Sequence, residues 1–180
     1  MRTSYNNKID YGDIFKSVIF LNNPKNIVEF GILDGFSLDV FNEHSPKDCK
    51  ITAYDIFEEF NGNSAEFDYI TKKYEKEEKI EIKKGDLYKV LDTFENDSLD
   101  IIHIDIANEG FTYDFAIKHG MRKLKKNGVL LMEGGSKARD KVHWMKKYKK
   151  PLIRPVLEEH KKNYNIITIG SFPGLTIISK

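Results

Sequence analysis

Gly31 and Gly35 bound the turn Gly31-Ile32-Leu33-Asp34-Gly35, which follows the apolar run Val28-Glu29-Phe30 and leads into Ser37. Glycines between a strand and a helix let backbone approach a ligand closely. The helix start beyond them offers free N–H groups and a partial positive charge. Asp55 ends the next apolar run. In a strand–helix–strand unit an acid there sits beside the glycine turn and can accept both hydroxyls of a ribose. The pair indicates nucleoside binding; a tight turn and an ordinary strand-end acid are the plainer alternatives. The spacing is not the three-glycine dinucleotide fingerprint, whose later glycines would stand at Leu33 and Phe36.

Asp105 and Glu133 end two later apolar runs. Such sheets bind ligands at the C-terminal ends of their strands, where an acid can accept a proton or orient an acceptor. For Glu133, capping a helix near Ser136 is the alternative. In Glu133-Gly134-Gly135-Ser136-Lys137-Ala138-Arg139-Asp140 a glycine pair precedes a capped helix and can cradle an anion. The fork of Arg139 suits a carboxylate or phosphate; a surface pair with Asp140 is the other reading. Residues 137–162 are rich in Lys, a local excess that attracts anions or coats a solvated face. His103, inside an apolar strand, reads as a satisfied core residue. Asn108 cannot take a proton. Tyr5 and Tyr11 lie in an N-terminal arm that either closes as a lid or packs.

The elements that must position these residues alternate. Strands are predicted at 26–30, 50–54, 79–83, 99–104 and 128–132, each short and apolar as buried parallel strands are. Helices are predicted at 10–21, 37–44, 64–78, 86–94, 112–125 and 136–148, the last with Trp144 and Tyr148 packed on the sheet. Residues 165–169 and 175–179 are strands joined by GSFPG, a connection short enough only for an antiparallel hairpin. The fold class is α/β: a three-layer, doubly wound mixed sheet of about seven strands, mostly parallel with a C-terminal antiparallel hairpin.

The 180 residues suit one domain, 1–180, with 1–25 as N-terminal arm and helix. A net charge of +1 excludes a strongly basic nucleic-acid module, so no nucleic-acid partner is expected. One cysteine, Cys49, excludes an internal disulfide framework, and the five histidines lack paired metal-ligand spacing. No apolar run approaches the roughly 18 residues of a membrane helix, and the N-terminus lacks a signal-peptide stretch. A cytoplasmic protein without a membrane partner is expected.

These segments resemble the class I S-adenosylmethionine (SAM) dependent methyltransferases. Glu29-x-Gly31-x-x-x-Gly35-x-Ser37 is similar to their first motif without its central glycine. Asp55 matches the ribose-binding acid, Lys84-Gly85-Asp86-Leu87 the adenine border, and His103-Ile104-Asp105 the fourth motif. Leu124-Lys125-Lys126-Asn127-Gly128 resembles the approach to the fifth strand, and the terminal hairpin is a family trait absent from nicotinamide Rossmann domains. The resemblance implies a SAM cofactor, with Glu29, Gly31, Gly35 and Ser37 at its methionine end. It also implies Asp55 and Ile56 at the ribose, Gly85, Asp86 and Leu87 at the adenine, and Asp105 by the methyl group. Asp105 and Glu133 are the implied catalytic residues, acting on an oxygen of a small molecule for which an anionic form fits. In metal-dependent O-methyltransferases of this class, the positions matching Asp105, Glu133 and Gly134 are ligands. Gly134 has no side chain to give, so no metal is expected. A SAM-binding module without turnover and a nicotinamide oxidoreductase are the alternatives. The chain has little room for a cap over the acceptor, so a homo-oligomer in which a second subunit completes the pocket is one expectation.

Overall fold

The structure, a computed structural model, describes residues 1–5, 10–58 and 64–180. Seven strands form one sheet: β1 (Asn26–Phe30), β2 (Lys50–Asp55), β3 (Ile80–Lys84), β4 (Leu99–Ile104), β5 (Leu124–Glu133), β6 (Asn165–Ile169) and β7 (Leu175–Ser179). Their order is β3-β2-β1-β4-β5-β7-β6. The first five are parallel, and β7 runs antiparallel between β5 and β6. The fold class read from the sequence is the one observed.

Helices cover both faces, which is why the central strands are apolar throughout rather than alternating. On one face α1 (Tyr11–Asn22), α2 (Phe36–His44) and α3 (Phe67–Lys73) bury Phe15, Leu38, Phe41 and Ile70 against Ile27, Ile51 and Ile101. On the other, α4 (Leu87–Val90), α5 (Gly110–Lys123) and α7 (Ile153–His160) bury Leu87, Tyr113, Ile117 and Leu157 against Val28, Ile102 and Leu130. The pleat thus sends Ile27, Glu29, Ile101 and His103 to the first face. Glu29 and His103 are register partners across β1 and β4.

Three predicted helices differ, and the one expected at 86–94 is α4 followed by a 3-10 turn at Leu91–Thr93. The one expected at 64–78 is only α3, because Tyr74 turns inward and donates its hydroxyl to Asp39 (2.6 Å) and Gly35 O (3.1 Å). The one expected at 136–148 breaks into a 3-10 turn at Arg139–Lys141 and α6 (His143–Lys147), with Val142 extended between them. Arg139 and Asp140 cause the break, since both side chains are drawn inward. Asp140 accepts from the backbone N–H groups of Ile153 (2.8 Å) and Arg154 (3.0 Å), starting α7. Met145, rather than Trp144 with the exposed Tyr148, enters the interior.

Candidate active site

A cleft of about 810 Å³ opens at the C-terminal ends of the parallel strands, in the roughly 300–1,000 Å³ range of ligand sites. The glycine turn forms its floor. Gly31 has φ +92°, and a Cβ there would lie 2.1 Å from the Asp105 carbonyl oxygen. Its N–H donates to Tyr54 O at 2.8 Å, while Asp105 N–H donates to Phe30 O at 2.9 Å. Glycine at 31 is therefore required by strand ends converging on one another. Gly35 turns away from the cleft and packs on Tyr74.

Asp55 stands in the cleft wall at the end of β2. Its Oδ2 accepts from Ile32 N–H (2.8 Å) and its Oδ1 from Phe57 N–H (2.9 Å). Each oxygen keeps a lone pair for a further donor. Gly85 N–H donates to Asp55 O (2.9 Å), bringing the next strand end alongside. Asp86 caps α4 by accepting from Tyr88 N–H (3.0 Å). Ile56, Gly85, Asp86 and Leu87 all line the cleft.

Glu29 does not line it. Fully buried on the first face, its Oε1 accepts from the Ser37 hydroxyl and from His103 Nδ1 (2.7 Å). Donation from Nδ1 leaves Nε2 to accept the Tyr5 hydroxyl at 2.9 Å. Glu29 is thus the inner member of a buried Ser37–Glu29–His103–Tyr5 chain, and only Ser37 and Tyr5 reach the cleft. His103 is a satisfied core residue, as its place in an apolar strand suggested.

The arm packs. Tyr5 and Tyr11 are buried, and Tyr11 Oη accepts from Gly174 N–H at 3.2 Å. Arg2 binds Asp34 through Nη2 (2.7 Å) and Nε (3.0 Å), and the Ser4 hydroxyl donates to Asp105 Oδ2 at 2.5 Å. Residues 2–5 therefore wall the cleft. Arg2 and Ser4 carried no signal in the sequence, since nothing in a short polar arm shows which distant acid it meets.

At the other end, β5 delivers Glu133 beside Asp105. Arg139 Nε donates to Glu133 Oε1 (3.1 Å) and Oε2 (3.3 Å), and Nη2 to Asn108 O (2.9 Å). The Trp144 ring lies 5.1 Å from the guanidinium. Arg139 is 5% exposed, so the surface pair with Asp140 does not form. Burial pushes the Glu133 carboxyl up to about 7, opposed by Arg139 and reinforced by the Asp105 charge. Burial also raises Asp105, opposed by the Ser4 hydroxyl and by the Arg139 charge. The Gly134–Gly135 turn is packed against protein. Its space is taken by Arg139 and by Thr176, whose Oγ1 donates to Gly134 O at 3.0 Å. Asn108 spends its amide on Ile104 O (3.0 Å) and Glu133 O (3.1 Å), fixing the strand ends.

Residues 3–151 match the model of a family described as O-methyltransferase. The chain belongs to the O-methyltransferase family. Solved structures agree on the fold. The SAH-bound methyltransferase PaMTH1 of Podospora anserina has a TM-score of 0.67 and 18% identity, with 94% of this chain and 77% of that one covered. The O-methyltransferase of Bacillus cereus in complex with SAH has a TM-score of 0.71 and 12% identity, covering 99% and 84%. TomG of Streptomyces achromogenes, solved with SAM, gives 0.65 and 15%, covering 94% and 78%. No curated protein matches the chain.

The residues of this chain do not fit a divalent metal of the kind the resemblance raised. Among the described residues no group of three His, Cys, Asp or Glu side chains converges. Glu133 is held by a guanidinium, Asp105 by Ser4, and position 134 offers no ligand. A hard dication needs several oxygen ligands and would here meet a fixed positive charge. Among the described residues no helix is long and apolar enough to cross a membrane.

Proposed function

We propose that residues 1–180 act as one SAM-dependent methyltransferase domain that transfers a methyl group to an oxygen of a small, anionic acceptor. The observation that carries this reading is that Asp55 and the Asp105–Glu133 pair open onto one cleft in a member of the O-methyltransferase family. Bound there, S-adenosylmethionine supplies a methyl group already activated on a sulfonium. The chain's residues then have three tasks. Asp55 accepts the ribose hydroxyls, with Ile56, Gly85, Asp86 and Leu87 around the base. Gly31 and Ser37 border the amino-acid end, supported from below by Glu29. Glu133 takes the acceptor's hydroxyl proton, which its raised carboxyl suits near neutral pH. Asp105 orients the groups between them.

Transfer of labelled methyl from SAM across a panel of small hydroxylated acids tests the reading. Glu133→Gln is expected to leave S-adenosylhomocysteine affinity intact and to cut turnover by about 10²–10⁴-fold. Unchanged turnover would remove Glu133 from the chemistry. Cofactor binding with no transfer to any acceptor would favour a SAM-binding module.

A further inference from the structure

Of the three positions that are metal ligands in the resembling enzymes, Glu133 is paired here with Arg139 and 134 is a glycine packed against the same arginine. Gly134 has φ +101°, and a Cβ at that position would lie 3.1 Å from Arg139 Cγ and 3.3 Å from Ile153 Cδ1. The space a side chain at 134 would enter is filled by the Arg139 stem. A side chain at 134 would crowd the inward-placed Arg139.

The guanidinium is fixed on every side but one. Glu133 takes Nε, Asn108 O takes Nη2, Ser136 Oγ accepts the Arg139 backbone N–H at 3.0 Å, and Trp144 covers the plane. Nη1 is buried and has no partner among the described residues. A buried donor left unpaired is costly, and a guanidinium is a fixed double donor suited to a planar carboxylate. Arg139 lines the cleft together with Trp144 and Lys150, so an acceptor entering there meets this residue, with the unused donor buried behind its exposed edge. Glu133 neutralises part of the charge, which favours a monoanion over a phosphate dianion.

We infer that Arg139 is the cation of the acceptor site, binding the carboxylate of a small acid through Nη1 where resembling enzymes use a metal. The inference rests on the proposed function only in taking the same cleft as the acceptor site. It explains why a glycine follows Glu133, why Arg139 is buried, and why its fork is left half used.

The test uses the full chain with S-adenosylhomocysteine, benzoate, benzamide and Mn²⁺ as probes. In the S-adenosylhomocysteine complex, excess benzoate is expected to raise the melting temperature by about 3 °C and neutral benzamide not at all. Arg139→Gln is expected to weaken benzoate binding at least tenfold. Arg139→Lys keeps the charge beside Glu133 but lacks Nη1; it should fold and show the same loss. Mn²⁺ titrated against the protein is expected to stay free by electron paramagnetic resonance. Equal response to benzoate and benzamide, no response to benzoate, or benzoate binding retained in both variants would overturn the inference. So would stoichiometric Mn²⁺ binding that Glu133→Gln abolishes. Failure of S-adenosylhomocysteine itself to bind would instead overturn the proposed function.

Discussion

Arg139 Nε donates to both carboxylate oxygens of Glu133, at 3.1 and 3.3 Å, where each residue is only 5% exposed. The pair joins the end of β5 to the 3-10 turn six residues on and leaves an acid whose proton affinity is set by burial more than by its partner. Activity and stability should therefore respond to pH in opposite directions.

The Glu133 carboxyl is raised from 4.5 to about 7 in the folded chain. Between these values the folded state holds a proton that the unfolded state has lost, so stability falls as pH rises through the window. The melting temperature is expected to drop from pH 5 to pH 8, and Glu133→Gln to flatten most of that slope. Asp105, also raised, keeps the remainder. Methyl transfer needs the ionised acid, so turnover is expected to rise with pH and level off above about 7.

Asp55 joins three segments, and its loss should act on cofactor first. Asp55→Ala removes the acceptor of Ile32 and Phe57 N–H. A stability cost of about 1–3 kcal/mol is expected from the unpaired amides, together with at least a tenfold loss of S-adenosylhomocysteine affinity by calorimetry. Unchanged affinity would remove Asp55 from the ribose site.

Two glycines should answer alanine oppositely. Gly31→Ala sets a Cβ 2.1 Å from a carbonyl oxygen at φ +92° and is expected to destabilise by at least about 2 kcal/mol. In Gly120→Ala, within α5, the new Cβ meets only Ile102 Cδ1 at 3.5 Å and Leu91 Cδ2 at 3.7 Å. That change is expected to stabilise by about 0.5–1 kcal/mol, since alanine is the better helix former. Urea melts of the two variants check both signs.

Tyr5→Phe leaves His103 Nε2 buried without its donor. A loss of about 1–3 kcal/mol is expected, with the arm exchanging amide protons faster at Ser4 and Tyr5. No change in either would show that the arm is held by Arg2 and Ser4 alone.

The sheet was legible because its central strands, β1, β4 and β5, are covered on both faces. Each reads as a short apolar run, and the GSFPG turn admits only one pairing. Helix α7 was missed: Pro155 and the charged Arg154, Glu158 and Glu159 hide it, although proline is tolerated within a first turn. Glu29 was assigned a ligand role from its motif position, but strand parity points it at His103 on the covered face. Residue type marked Arg139 as an anion binder, with a surface pair to Asp140 as the alternative. Two tertiary contacts decided otherwise: α7 claims Asp140, and β5 presents Glu133 to the guanidinium. No local pattern encodes either.

The most direct test is a melting curve with S-adenosylhomocysteine, SAM and NAD side by side. At about 100 times its dissociation constant a ligand stabilises by roughly 2.7 kcal/mol, on the order of 5–10 °C for a chain of this size. A shift of that size with S-adenosylhomocysteine and SAM, and none with NAD, is the expected result. A shift with NAD alone, or none with either sulfur ligand, would contradict the assignment of this cleft to SAM.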